Sequence, residues 1–394
     1  MSRTASQSNE FEGRTNVVWK VQLFRLNYDR GETEAIREVL ESQWITMGQK
    51  TMDFELAFAR FLGYGARCCA VANGTAALHM ALLALGVGAG DEVIVPALTF
   101  VADINVVRMV NARPVLADCS SDTNWNISPD DLERKIGKNT RAVIVVHYAG
   151  YAADMDAILD ICRRKRIELI EDCAHAPGGD YKGKPLGTFG TISCWSFFSN
   201  KNISVGEGGM FATADEKLER RARLLRSHGM SHATLDRFLG RAISYDVEIP
   251  GLNYRIDEIR AAVGLVQLVK LAEANKQREL LVKEYHTRLE GAAGVILPFR
   301  DFDLGSPAYH IMPVLLEQLV DRSKVIAHMK ANGIQTSIHY PSFRQFTAFR
   351  DADLGATPIA DYISEHELTL PLYPTMSQVD LVLTCEALEA AIQS

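Results

Sequence analysis

Four short segments hold the residues of this sequence best suited to chemistry. Ala72-Asn-Gly-Thr-Ala76 joins an apolar run to a helical pattern, so Gly74, Thr75 and Ala76 bring backbone N–H groups and a hydroxyl to a helix N-terminus. That arrangement binds anions, and taken alone it also describes an ordinary N-cap. Leu169-Ile-Glu-Asp172-Cys-Ala-His175 ends an apolar run in two carboxylates and a histidine. A buried Asp there needs a cation, which a protonated heteroaromatic nitrogen would supply; the plainer reading is an Asp that caps a turn. In Ser196-Phe-Phe-Ser-Asn-Lys201-Asn-Ile-Ser-Val-Gly-Glu-Gly-Gly209, a lysine follows an aromatic strand and precedes a Gly-rich loop. Partial desolvation would lower the pKa of Lys201 and make its amine a nucleophile toward carbonyls, unless it is a surface lysine beside a loop. Ile249-Pro-Gly-Leu-Asn253-Tyr-Arg255-Ile-Asp257 leads irregularly into a helix with polar groups on short reach, or simply caps it.

Weighed jointly, the four segments match one ligand, an aldehyde with a phosphate, a ring nitrogen and a carbon that forms imines. Pyridoxal 5'-phosphate (PLP) has those features. Lysine would hold it as a Schiff base, aspartate would keep the ring nitrogen protonated, and the helix N-terminus would take the phosphate. The order of anion site, Asp and Lys along one chain is far rarer than any single piece.

Other suggestive patterns carry less. Gly86-Val-Gly-Ala-Gly90 precedes a strand, whereas a dinucleotide loop follows one. Gly179-Asp-Tyr-Lys-Gly183-Lys184 lacks the P-loop spacing and reads as a turn. His228 and His232 stand four apart, but Gly229 lies between them and no acidic partner follows, so a loop is expected and no metal site.

The elements that must position these residues are legible from periodicity. Helical spacing marks Gly31 to Glu41 and Thr51 to Phe61. From Cys69 onward strand-sized runs (Glu92 to Pro96, Pro114 to Asp118, Ala142 to His147, Glu168 to Asp172) alternate with helical ones, which means βαβ units and an α/β fold. Thr191 to Phe198 and Met210 to Thr213 are separated only by a loop and should be neighbouring strands. A long helical pattern, Asp257 to Leu289, can bridge two domains; beyond Gly291 shorter pieces (Ile311 to Leu316, Ser323 to Asn332, Thr336 to His339, Gln378 to Ile392) suggest a smaller α+β domain. The expected division is a flexible N-terminal arm over 1–22, a large domain over 23–270 and a small domain over 271–394.

Composition bounds the function class. The 394 residues carry 42 Lys+Arg against 49 Asp+Glu, a net charge of −7, so no global field draws nucleic acid. With 47% hydrophobic residues the chain can bury a large core, yet no apolar run approaches the length of a membrane helix. The polar N-terminus lacks a signal-peptide core, and the 7 cysteines contain no CxxC pair, so reduced buried thiols and a cytoplasmic location are expected.

The motifs ANGTAAL, PALTFVA, IEDCAHAPGG, SFFSNKNISVGEGGM, LRSHG, GLNYRIDEIRAA, IHYP and LPLYP together resemble the DegT/DnrJ/EryC1/StrS family of PLP-dependent sugar aminotransferases, from about Leu23 onward. The resemblance implies a fold-type-I PLP enzyme. Its mostly parallel seven-stranded sheet would be sandwiched by helices, with a smaller C-terminal α+β domain, and it would form a homodimer whose active sites are built by both chains. It assigns Lys201 as the Schiff-base lysine, Asp172 as the pyridinium partner, His175 as a neighbour of the cofactor's phenolic oxygen and Phe100 as the aromatic on the ring face. Gly74, Thr75 and Ser196 fall on phosphate-binding positions, and Asn253 on a phosphate contact given by the neighbouring subunit. Arg255, His339 and Tyr340 fall in segments that border the sugar nucleotide.

The implied cycle takes an amino group from L-glutamate, passes through pyridoxamine 5'-phosphate and delivers the group to a nucleotide-linked keto sugar, with Lys201 as proton carrier. A dehydratase of the family has histidine in place of this lysine; Lys201 favours transamination. The competing readings are a keto-cyclitol (inosose-type) aminotransferase and a non-catalytic regulatory protein on the same fold. The contacts that choose the sugar are expected in Trp44 to Gly48, Ser231 to Asp246 and Phe343 to Asp351.

Overall fold

The computed structural model describes residues 18–231, 244–350 and 354–393. The first 17 residues of the expected arm, His232, Asp351 and most of the stretch from Ser231 to Asp246 lie outside the described residues.

Strands β1 (Arg67–Val71), β2 (Glu92–Pro96), β3 (Arg113–Ala117), β4 (Thr140–Val146), β5 (Glu168–Asp172), β8 (Ile192–Ser196) and β9 (Gly209–Thr213) form a seven-stranded sheet in the order β1-β9-β8-β5-β4-β2-β3; β6 (Asp180–Tyr181) and β7 (Lys184–Pro185) pair separately as a hairpin. From β8 through β5, β4 and β2 to β3 every pairing is parallel. β9 alone runs against its neighbours β1 and β8. The connection from β8 to β9 contains no helix to make a crossover, so the chain turns back as the adjacent antiparallel strand.

Both faces of the sheet are covered, and alternate residues of a strand enter opposite cores. Cys69 and Val71 of β1 pack with Val93, Val95 and Ile144 against helices Gly74–Ala84, Val101–Met109 and Glu216–Arg226. Cys68 and Ala70 pack with Ile94, Val143 and Val145 against helices Gln49–Leu62 and Met155–Lys165 and the first turns of Glu258–Leu289. A strand buried on both faces reads as an unbroken apolar run, which is why these segments stand out in the sequence. The cysteines at 68, 69, 119, 162, 173, 194 and 385 are all free and buried.

Helix Glu258–Leu289 begins at Asp257, whose side chain accepts from Arg260 N at 2.9 Å. Its first half (Ala261, Val263, Leu271) belongs to the sheet's second core and its second half (Leu281, Val282, Tyr285, Leu289) to a third. That third core lies under a three-stranded antiparallel sheet of β10 (Val295–Ile296), β11 (Met312–Leu316) and β12 (Glu367–Leu370), with helices Arg322–Ala331 and Gln378–Gln393. No helix among the described residues is long and apolar enough to cross a membrane.

Two expectations need correction. Val21, placed in the flexible arm, is fully buried in the third core, bridges Ile334 and accepts from Gln335 N at 2.9 Å, because an apolar side chain there completes the small sheet's packing. Thr336 to His339 is no strand but a single bridge, Ser337 to Thr369. The partner it meets, β12, and the preceding helix Pro358–His366 escaped the sequence reading, since four residues leave too short a pattern to count.

Candidate active site

A cavity of about 420 Å³ opens at the carboxyl ends of β1, β2, β4, β5 and β8, where open α/β sheets bind ligands. Gly74, Thr75, Phe100, Asp172, His175, Ser196, Lys201, His339 and Tyr340 are among the residues that line it.

The anion end is set by close packing. Asn73 caps helix Gly74–Ala84, its Oδ1 accepting from Ala76 N at 2.8 Å. The Ala76 N–H is thereby taken, and Ala76 is buried outside the cavity, so the cradle reduces to the N–H groups of Gly74 and Thr75, which have no carbonyl partner within the helix. A side chain at Gly74 would bring a Cβ within 2.9 Å of Ser196 Cβ, and one at Gly209 within 2.5 Å of the Asn73 carbonyl group. Only glycine at both positions lets the ends of β8 and β9 reach the helix start and present the Ser196 hydroxyl there.

The strand's two-residue period separates the adjacent carboxylates of β5. Asp172 enters the cavity, and its Oδ1 accepts from Ala174 N at 2.8 Å. Glu171 points to the other face and accepts from Gly187 N, Phe189 N and Gly190 N at 2.8, 2.8 and 2.6 Å and from His147 Nε2 at 3.1 Å, which holds the loop before β8.

Behind Asp172 lies a residue the sequence reading missed. Asp103, in the first turn of helix Val101–Met109, is fully buried; Thr99 Oγ1 donates to its Oδ2 at 2.5 Å, while Oδ1 meets no donor. The Asp103 and Asp172 carboxyls lie close enough for their charges to couple, which disfavours ionising both at once. Burial, then the neighbouring Asp172 charge, push Asp103 well above the usual carboxylate range. Burial also raises Asp172, opposed by the Ala174 N–H and the Lys201 cation, so the negative charge of the pair rests on Asp172.

Lys201 faces that charge across the cavity. Burial lowers its pKa to about 8, against the opposing pull of Asp172. Its Nζ lies 3.4 Å from Nε2 of His310, a second residue without a sequence signal, since a lone histidine before a short apolar run looks like any core histidine. His175 accepts from Ala149 N through Nδ1 at 3.2 Å, so its Nε2 carries the proton toward Tyr340 Oη at 3.0 Å. Burial and the Lys201 charge hold His175 well below its ordinary pKa, hence neutral. Phe100, at 53% exposure, and Phe198, at 43%, stand at the rim, with the Phe100 and Tyr340 ring centroids 5.7 Å apart.

Asn253 and Arg255 do not line this cavity. Asn253 is exposed and bridges Ser227 through its backbone, and Arg255 bridges Val71 beside the entrance to helix Gly74–Ala84.

A helix N-terminus of bare N–H groups, a buried carboxylate that needs a cation and a partly deprotonated lysine suit the phosphate, the ring nitrogen and the aldehyde of PLP. Fold and site together place the chain among the PLP-dependent aminotransferases. Residues 27–389 match the model of the DegT/DnrJ/EryC1/StrS aminotransferase family, and the chain belongs to that family of sugar aminotransferases. It is similar to the spore coat polysaccharide biosynthesis protein SpsC of Bacillus subtilis, 37% identical over 373 residues, 92% of this chain and 94% of that protein. Among solved structures, Spr1654 from Streptococcus pneumoniae in its PMP form superimposes with a TM-score of 0.87 at 27% identity, covering 93% of this chain and 98% of the other. Helicobacter pylori PseC, an aminotransferase involved in the biosynthesis of pseudoaminic acid, does so with 0.86 at 26% identity, covering 93% and 97%.

Proposed function

We propose that this enzyme transfers an amino group from L-glutamate to the keto carbon of a nucleotide-linked sugar, acting as a homodimer with shared active sites. The observation that carries the reading is the opposition of Lys201 and Asp172 across one cavity that also opens onto a helix N-terminus. Gly74, Thr75 and Ser196 would hold the phosphate, Phe100 would cover the ring face, and Asp172 would pair with the pyridine nitrogen. Bound there, PLP supplies the electron sink of transamination. Lys201 Nζ, neutral in part near pH 8, would anchor the cofactor and, when free, would take the proton from the donor's α-carbon and deliver one to the sugar carbon. Asp172 would keep the ring nitrogen charged, and His175 orients Tyr340 at the cavity wall.

The dimer is supported by the exposed apolar rim at Phe100 and Phe198 and by Asn253, which is exposed and lies away from its own chain's cavity. The sugar nucleotide would enter along that rim toward His339 and Tyr340, with Arg255 of one chain at its border. The biosynthetic settings of SpsC and PseC agree with a sugar acceptor, and glutamate rests on the family resemblance.

A two-stage experiment tests this. The purified enzyme should turn yellow with PLP, lose the colour with L-glutamate while releasing 2-oxoglutarate, and regain it with a nucleotide-linked keto sugar. Lys201→Ala should never colour in that way. Recovery of colour with a free inosose but with no nucleotide sugar would move the assignment to a cyclitol aminotransferase.

A further inference from the structure

Lys201 needs more than a low pKa; its amine must be aimed. His310, just ahead of β11, is 2% exposed, and its Nε2 lies 3.4 Å from Lys201 Nζ. Its other ring nitrogen, Nδ1, lies 2.9 Å from Asn202 Oδ1. Which nitrogen carries the hydrogen follows from tracing the amides outward. Asn275 Nδ2 donates to the carbonyl of Pro177 at 2.8 Å, so Asn275 Oδ1 is an acceptor. Asn202 Nδ2 donates to that oxygen at 2.8 Å and to the carbonyl of Ala308 at 2.7 Å. Both donors of Asn202 are thus committed to acceptors, and its Oδ1 can only accept. His310 Nδ1 must then be the donor, and a neutral imidazole with a hydrogen on Nδ1 has a bare lone pair on Nε2.

The ring is fixed as well as its tautomer. The His310 backbone donates to Ala149 O at 2.8 Å, and its carbonyl accepts from Arg278 Nη1 at 3.0 Å. The ring packs against His175 with centroids 4.4 Å apart. Burial, with the nearby charge of Lys201, holds His310 well below its ordinary pKa, in agreement with a neutral ring.

We propose that His310 is a positioning residue for Lys201: locked as the Nδ1–H tautomer by the Pro177–Asn275–Asn202 relay, it accepts a hydrogen bond from the Lys201 amine through Nε2 and so sets where that amine's own lone pair points. The proposal rests on reading Lys201 as the site's reactive amine. It adds a chain of three side chains, none of which touches the cofactor's expected place, that would aim this amine each time it is released.

The test uses the full chain without cofactor. In 15N-correlated spectra of selectively labelled protein, His310 should show a protonated Nδ1 and an unprotonated Nε2. The pH dependence with which an amine-reactive sulfonate labels residue 201, read by peptide mass spectrometry, reports the Lys201 pKa. Asp172, His175, His339 and Tyr340 share the cavity with this amine and are left unchanged. His310→Leu, close in size and without an acceptor, should lower that pKa by about one unit, a tenfold change in the amine-to-ammonium ratio. His310→Gln, which restores an acceptor at the ε position, should bring it back. A hydrogen on Nε2, a His310→Leu profile that overlays the wild type, or a loss that Gln does not restore would each overturn the proposal. None of these outcomes depends on PLP binding, so failure here is distinct from a Lys201→Ala protein that still colours with PLP.

Discussion

Asp103 and Asp172 bury two carboxyl groups against each other beneath the cavity, and only Asp172 has the backbone N–H and the lysine cation that favour a charge. The lone Thr99 hydroxyl on Asp103 is too little to hold a second anion in a dry site.

Asp103→Asn tests this arrangement in the cofactor-free protein. A carboxyl whose folded pKa exceeds its unfolded value contributes stability that is fully present below the unfolded pKa and is lost as pH rises toward the folded one. The wild type should therefore lose ground to Asp103→Asn as pH rises above about 4. The two should unfold alike near pH 4, and above it the variant should gain on the wild type by up to about 1.4 kcal/mol per pH unit. Thermal unfolding at rising pH gives the answer, and parallel curves would sink the reading of Asp103 as the protonated member of the pair.

Lys201 attacks as the free amine, so a pKa of about 8 predicts the profile of cofactor capture. The rate at which cofactor-free protein takes up PLP should climb about tenfold per pH unit up to pH 7 and level off above about pH 9. Stopped-flow absorbance would show it. A rate still climbing nearly tenfold between about pH 8 and pH 9 would mean an ordinary surface lysine.

Glu367, fully buried in β12, supports the cavity wall from behind: its Oε2 accepts from His339 N at 2.8 Å, and its Oε1 accepts from the Thr369 hydroxyl. Burial pushes its pKa up to about 7. Being raised, this group stabilises the fold below its unfolded pKa, and that contribution fades as pH rises through 7. Glu367→Gln should flatten the fall in stability between pH 5 and pH 8 by on the order of 2 kcal/mol, seen in urea midpoints at the two pH values.

Gly209→Ala should damage the phosphate cradle while leaving the rest of the sheet in place. The added methyl meets the Asn73 carbonyl group at 2.5 Å, and overpacking of this kind costs about 1–3 kcal/mol. If the strain moves the start of helix Gly74–Ala84, PLP affinity should fall at least about tenfold by fluorescence titration, with little change in circular dichroism. Unaltered affinity would show that the cradle tolerates the shift.

Much of this site was legible before folding. Asp172, Gly74 and Ser196 each sit where a strand ends or a helix begins, and Lys201 lies in the loop just after such an end; these junctions are marked locally by a change of periodicity and by small residues. The parallel strands were equally plain, because strands covered on both faces are continuous apolar runs. Asp103 and His310 were not legible. One is a carboxylate in the first turn of a helix, usually a dipole effect, and the other precedes a short strand more than a hundred residues from the lysine it meets.

Chemistry that is local in the chain, then, was set by the sequence: which residues end each strand, where a lysine follows an aromatic run, where glycine opens a helix. The tertiary structure alone decided which of those ends share a cavity, that Glu171 turns away while Asp172 turns in, that Val21 closes the small core, and that Asp103 and His310 stand behind the two central groups. The reason is that protonation state and aim depend on desolvation and on partners a few ångströms away, and those distances do not exist until strands far apart in the chain are laid side by side.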